Sequence, residues 1–187
     1  MMTADRSLVH IAIHVAVISA LGYYLPAFTT PITGSVPITA QTLGVMLAGV
    51  MLGPVRGALA VLLFLLIVAL GMPVLSGGRG GIGVFFLPSV GFLIGFPIAA
   101  FVCGWTMQLL RRRPVFPSVL VASMVGGILA LYPFGILGIS LVAGKPLWES
   151  AIGSLVFLPG DILKCFGTAL VASAIERGRP DAIFSRQ

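Results

Sequence analysis

The chain has 187 residues, of which 58% are hydrophobic and only 9% are charged, and its mean hydropathy is +1.14. Because soluble domains carry about a quarter charged residues, this composition excludes an ordinary soluble enzyme, a coiled coil and a disordered chain. The formal net charge of +6 is compatible with nucleic acid or with anionic lipid, and the positions of the charges must separate the two.

Six apolar segments, separated by Gly, Pro and Arg, predict an all-α integral membrane protein with one membrane domain, residues 1–187. The predicted transmembrane spans are residues 9–25, 41–52, 57–70, 90–110, 117–142 and 151–175. A full crossing takes about 20 residues, so the short second and third spans are expected to form a tilted or incompletely spanning hairpin. An even number of spans places both termini on the same side of the membrane.

The basic residues that flank these spans predict the orientation. If the N-terminus is cytoplasmic, eight arginines lie on the cytoplasmic side and two basic residues, Arg79 and Lys145, lie outside. The run Arg111, Arg112 and Arg113 is typical of a stop-transfer cluster in contact with lipid, which argues against nucleic acid as a partner. We therefore expect both termini in the cytoplasm.

Asp161 and Lys164 are the charged residues inside the predicted spans. Their spacing of three places them on one helix face, where they can pair, and Ser154, Phe157 and Thr168 extend this face. Ionisable residues inside a membrane mark substrate or ion pathways by default, and the structural alternative is an ion pair that only holds helices together. The pair is the first candidate for a functional site.

Two outer segments offer further ligand contacts. Residues 76–83 contain five glycines, which let backbone N–H groups approach a ligand closely, although a flexible connector has the same composition. No Lys-Ser or Lys-Thr follows at the P-loop spacing, so this segment is not a nucleotide-hydrolysing motif. At the start of the second span, Gln41, Thr39 and Thr42 offer neutral donors and acceptors, with helix capping as the alternative role of Thr39.

Ala12, Ala16 and Ala20 recur every four residues in the first span, which permits close packing within the bundle or against another membrane subunit.

No Ser, Cys or carboxylate is paired with a base, so we expect no catalytic residue and no enzyme activity. His10 and His14 are four residues apart, but two ligands are too few for a structural zinc site, and no metal is expected.

Three segments resemble the BioY family of biotin-binding S components, which belong to energy-coupling factor (ECF) transporters. They are residues 37–60, which include Pro37-Ile38-Thr39-Ala40-Gln41, residues 71–83 with the glycine-rich loop, and the motif Pro159-Gly160-Asp161-Ile162-Leu163-Lys164. The likeness follows nearly the whole chain, with the motifs in the family's order. It implies a six-helix subunit of the bacterial inner membrane that captures biotin.

The resemblance also implies partners. An S component works with a transmembrane coupling subunit and with a pair of cytoplasmic ATPases that use the ATP, so this chain is expected to hold no cofactor of its own. The face formed by Ala12, Ala16 and Ala20 resembles the motif by which S components dock on the coupling subunit. The open alternatives are an S component for another vitamin and a stand-alone carrier driven by ions.

Asp161 and Lys164 match the family's Gly-Asp-x-x-Lys motif and would be the polar ligands of biotin's head or of its carboxylate. Asp161 would accept from a ureido N–H, and either Lys164 or Arg79 would meet the carboxylate. Relatives often read Gly-Pro-Thr-Gly-Gly-Tyr where this chain reads Leu87-Pro88-Ser89-Val90-Gly91-Phe92, so Phe92 would only pack. The full set of expected binding residues is Asp161, Lys164, Arg79, Gln41, Gly77, Gly78, Gly80, Phe92 and Trp148.

Overall fold

The structure, a computed structural model of the chain, describes residues 4–24, 36 and 39–186. These residues form six helices: α1 (Ala4–Tyr23), α2 (Gln41–Leu52), α3 (Pro54–Ala69), α4 (Val90–Leu109), α5 (Val115–Ala143) and α6 (Leu147–Gly178). The prediction of an all-helical protein with six helices is confirmed. By length and composition α4, α5 and α6 can each cross a membrane, whereas α1, α2 and α3 are shorter apolar helices.

Helix α2 is the centre of the bundle. Every residue from 44 to 52 is buried, and the helix contacts α1, α3, α4 and α6. A helix of 12 residues is roughly 18 Å long, which is less than the apolar thickness of a bilayer. The apolar sequence from residue 44 to residue 52 is therefore explained by neighbouring helices rather than by lipid.

The helices approach each other closely where glycines meet. A Cβ atom on Gly138 of α5 would lie 2.5 Å from the Cα of Gly91 in α4, and one on Gly57 of α3 would lie 2.7 Å from the Cα of Gly49 in α2. No side chain fits at such distances. Small residues thus set the spacing of helices inside the membrane, where lipid tails provide no hydrophobic drive for helix association.

A π-helical turn interrupts α5 at Val125–Ala130. Two glycines in this turn, Gly126 and Gly127, leave room for the side chains of Cys103 in α4 and Met46 in α2. A π-helical turn widens the helix locally and is frequent near functional sites. In this protein it directly precedes the part of α5 that faces the cavity described below.

One end of the bundle gathers the arginine-bearing connections. The segment after α6 folds back onto it: Ser185 Oγ donates to a backbone carbonyl of α2, and the Arg186 guanidinium donates to the Arg111 carbonyl at 2.6 Å. The ring of Phe184 lies 4.7 Å from that of His10, near the start of α1. The start of α1, the α2–α3 and α4–α5 connections and the segment after α6 therefore share one end, and residues 70–89 lie at the other.

Candidate ligand-binding site

A cavity opens between the helix ends, on the side of residues 70–89. Its empty volume is about 560 Å³, including the part that is open to solvent. Apolar walls with a few convergent polar groups are typical of small-molecule sites. The lining residues come from α2, α4, α5, α6 and two connections: Val36, Thr39, Gln41, Thr42, Leu75, Arg79, Ser89, Phe92, Leu93, Phe96, Leu131, Phe157, Asp161 and Lys164.

The carboxylate of Asp161 is the most strongly bonded polar group of the cavity wall. Asp161 is 6% exposed, and Lys164 Nζ donates to its Oδ1 at 2.7 Å. The Tyr132 hydroxyl donates to Oδ2 at 2.8 Å, and the Thr42 hydroxyl makes a longer contact of 3.4 Å with Oδ1. These charge-assisted bonds compensate for the loss of water around a buried carboxylate. They also join α2, α5 and α6 at one point.

The helical pattern of α6 changes just before Asp161. A 3₁₀ turn at Leu155–Phe157 precedes the α-helical part Leu158–Gly178, and Pro159 lies in the first turn of that part. Proline has no N–H to donate, and it stands here where the backbone changes from the 3₁₀ to the α-helical pattern. Asp161 lies in the turn that follows this change.

Aromatic rings form the apolar wall next to this carboxylate. The Phe92 ring centroid lies 6.3 Å from that of Tyr132 and 5.8 Å from that of Phe157, and both pairs meet edge to face. Gly135 leaves the space that the Phe92 ring occupies against α5. Edge-to-face contacts fix ring orientation, so the wall is preformed for an apolar ligand group.

Arg79 reaches the cavity from a tight turn. The Leu75 N–H donates to the Arg79 carbonyl at 3.0 Å, and Gly77 and Gly78 have φ angles of 78° and 69°, a left-handed backbone that favours glycine. Arg79 Nε donates to the Ser76 carbonyl at 3.1 Å. Partial burial removes water from the guanidinium and lowers the pKa of Arg79 from its ordinary value. The turn therefore presents a partly desolvated cation to the cavity.

The structure brings together five of the nine binding residues expected from the sequence: Asp161, Lys164, Arg79, Gln41 and Phe92. The other four do not line the cavity. Gly77 and Gly78 are exposed and shape the tight turn that carries Arg79, and Gly80 packs against the Met72 carbonyl. Trp148 is 64% exposed near the start of α6.

Sequence reasoning misses Tyr132, which bonds to Asp161 from a different helix. A signal was present, because Tyr132 is the one tyrosine of α5, in an otherwise apolar run, and polar groups inside a membrane usually have a role. Apolar lining residues such as Phe96 and Leu131 carry no such signal, since lipid and a ligand select the same side chains.

The alanines of α1 lie on a surface that the bundle leaves open. Ala12, Ala16 and Ala20 are exposed, whereas Val15 and Ile18, on the other face of the helix, are buried. The sequence allowed two roles for this face, packing within the bundle or against another membrane subunit. In the described part of the chain, no other helix covers it.

The helices that can cross a membrane and the cavity at one end of the bundle together define a multi-pass membrane protein with a small-molecule site. The model of the BioY family matches residues 1–181. The chain therefore belongs to the BioY family.

Two relatives match over nearly their full length. The chain is 48% identical over 191 aligned residues to the biotin transporter BioY of Rhodobacter capsulatus, covering 97% of this chain and 99% of that protein. It is 46% identical over 182 residues to the biotin transporter BioY of Rhizobium etli, covering 95% and 96%. A crystal structure of the S-component for biotin from an ECF-type ABC transporter superimposes with a TM-score of 0.85 at 31% identity, covering 95% of both chains.

Proposed function

We propose that this protein is the substrate-binding S component of an ECF-type biotin transporter and captures biotin from the outer side of the bacterial cell membrane. The observation that carries the proposal is the buried carboxylate of Asp161, bonded to Lys164 and Tyr132 in the wall of an apolar cavity, in a member of the BioY family. Relatives that are named biotin transporters, and a similar S component for biotin, support this ligand.

The charges of the cavity suit a ligand with one negative charge. Among the described lining residues, Arg79, Asp161 and Lys164 carry formal charges, and the last two form an ion pair 2.7 Å long. The guanidinium of Arg79 is therefore the unbalanced charge. Biotin carries a single carboxylate at the end of its valeryl chain, and Arg79 would bind it bidentately.

The other end of biotin matches the Asp161 cluster. Its ureido ring has two N–H donors and one carbonyl acceptor. Asp161 would accept from an N–H, and Lys164 would donate to the carbonyl, because ammonium groups have three donors and only one is used by Asp161. The sulfur-containing ring and the valeryl chain would pack on Phe92 and Phe157, which line the same cavity.

Transport itself would need partners. The exposed alanine face of α1 would dock on a transmembrane coupling subunit, and cytoplasmic ATPase subunits would supply the energy of ATP hydrolysis. The arginine-rich end of the bundle, with both described ends of the chain, would face the cytoplasm by the positive-inside rule. The cavity would then open to the outside.

Calorimetry on the purified protein tests the binding role. Wild-type protein should bind biotin saturably, and Asp161→Asn should weaken binding by at least about tenfold, because a charged hydrogen-bond acceptor is lost. Glu149→Gln removes an exposed carboxylate of α6 outside the cavity and should leave the affinity unchanged. Absence of saturable binding to the wild type would overturn the proposal, and displacement of biotin by another vitamin at lower concentration would reassign the ligand.

A further inference from the structure

Gln41 lines the cavity, but its amide is bonded to the protein. Gln41 is 2% exposed, and its Nε2 donates to the carbonyl of Val74 at 3.0 Å, across 33 residues of sequence. The bond ties the first residue of α2 to the connection between α3 and α4. This bond uses one N–H of the amide and holds the Gln41 side chain against the protein with no ligand present.

Helix α1 closes over this bond from the other side. A Cβ atom on Gly22 would lie 2.6 Å from the Val74 carbonyl oxygen and 2.8 Å from Cδ of Gln41. The backbone of α1 therefore packs directly on the bonded pair, and only glycine fits. Three separate parts of the chain meet at one hydrogen bond that is shielded from water, where such a bond is stronger than at a surface.

Val74 begins the turn that carries Arg79. We define the Arg79 turn as residues 74–80. Within it, the Leu75 N–H donates to the Arg79 carbonyl at 3.0 Å, and the Gly78 N–H donates to the Leu75 carbonyl at 3.0 Å. Leu75 is 2% exposed and lines the cavity, as Arg79 does. Because the turn is short and internally bonded, a restraint at Val74 is transmitted to the position of Arg79.

We infer that Gln41 is a positioning residue, a latch that holds the Arg79 turn over the cavity and thereby aims the Arg79 guanidinium at the anionic end of the ligand. The assignment of a ligand carboxylate to Arg79 rests on the proposed function, whereas the latch itself rests on the contacts of Gln41, Gly22 and Val74.

Two ligands that differ only in the group at the end of the valeryl chain separate positioning from direct contact. Biotin and biotinamide share the ureido ring, but biotinamide has no carboxylate. Gln41→Met keeps the length of the side chain and removes its donor, so biotin affinity should fall about three- to tenfold while biotinamide affinity changes less. Arg79→Gln should show the same selectivity, and the double variant should be no weaker than Arg79→Gln alone. Equal losses for both ligands, or additive losses in the double variant, would show that Gln41 touches the ligand directly and would overturn the inference.

Gly22→Ala is a second variant that leaves Gln41 and the cavity residues unchanged. Its added methyl group would push the Gln41 amide away from the Val74 carbonyl, so it should reproduce the reduced preference for biotin over biotinamide. Gln108→Met is the matched control, because Gln108 is an exposed glutamine at the arginine-rich end. It should leave both affinities at the wild-type values.

Hydrogen exchange in the ligand-free protein tests the latch independently of the ligand. The amides of Leu75 and Gly78 should exchange faster in Gln41→Met and in Gly22→Ala than in wild type or Gln108→Met, because the turn opens more often. Unchanged exchange in both variants would overturn the latch, even if biotin binds as proposed. Faster exchange in a protein that binds no biotin would support the latch while the proposed function fails.

Discussion

Tyr132 and Asp161 connect two helices through a single hydrogen bond, in which the phenolic hydroxyl donates to Oδ2 of the carboxylate at 2.8 Å. Lys164 donates to the other oxygen from one turn further along α6. Each carboxylate oxygen thus has its own donor, and the plane of the group is fixed before a ligand arrives. Such preorganisation reduces the ordering that binding must otherwise impose.

Tyr132→Phe should weaken biotin binding by about three- to tenfold, since Oδ2 of Asp161 loses its donor while the ring keeps its packing against Phe92. Calorimetry measures the effect. Tyr23→Phe, at a tyrosine that is 56% exposed, should leave the affinity unchanged. If Tyr132→Phe also binds normally, the hydrogen bond has no part in ligand recognition.

Asp161→Asn and Lys164→Met should each lower the midpoint of thermal unfolding in detergent, because each leaves one charge of the pair without its partner. The loss is about 3–5 kcal/mol for a fully buried pair and should be smaller here, where the Lys164 side chain is 15% exposed. The double variant should regain most of this stability, since no unpaired charge remains, but it should not regain biotin binding. A double variant that binds biotin as the wild type does would show that the pair only holds helices together.

Gly138→Ala should destabilise the bundle by about 1–3 kcal/mol, because the new methyl group would meet the backbone of Gly91 and force α4 and α5 apart. Gly178→Ala is the matched control, as a Cβ at that position meets no atom within 4 Å. The midpoints of thermal unfolding of the two purified variants are compared. Equal midpoints would mean that α4 and α5 can move apart at little cost in stability.

Ala16→Leu should abolish co-purification with a coupling subunit and leave biotin binding intact, because the exposed face of α1 would no longer permit close helix contact. Ala174→Leu places the same change on an exposed position of α6 and should not affect the complex. Normal assembly of the Ala16 variant would exclude this face as the docking surface.

The orientation in the membrane can be tested with cysteine reporters, because both native cysteines, Cys103 and Cys165, are buried and free. Ile82→Cys, in the connection between α3 and α4, should react in whole cells with a maleimide that cannot cross the membrane. Pro114→Cys, at the arginine-rich end, should react only after the cells are opened. The reverse pattern would invert the proposed topology.

Much of the fold follows from the sequence because apolar runs and their breakers are local signals. Gln41 is both the predicted and the observed first residue of α2. The sixth predicted span begins at residue 151, whereas α6 begins at Leu147. The polar residue Glu149 interrupts the apolar pattern there, yet it is exposed and the helix continues through it. Hydropathy marks the apolar part of a helix, not its full length.

Within the site, the sequence predicts only contacts between residues that are close together in the chain. Asp161 and Lys164 are three residues apart, so helix periodicity alone brings them together. Tyr132 is 29 residues from Asp161, and their contact depends on how α5 packs on α6. Gln41 is a second example. The sequence shows its polar side chain, but nothing in the sequence indicates that its partner is the backbone carbonyl of Val74.

The ion pair of Asp161 and Lys164 also bears on how the membrane voltage acts on this protein. Moving one elementary charge through 100 mV changes its free energy by about 2.3 kcal/mol. With no ligand, the described residues of the cavity wall carry one net positive charge, that of Arg79, and a bound monoanion cancels it. If the site moves through the membrane field, the loaded step would therefore cost almost no electrical work. The work of importing a negatively charged vitamin into a negative interior would fall on the outward return of the empty, positively charged site.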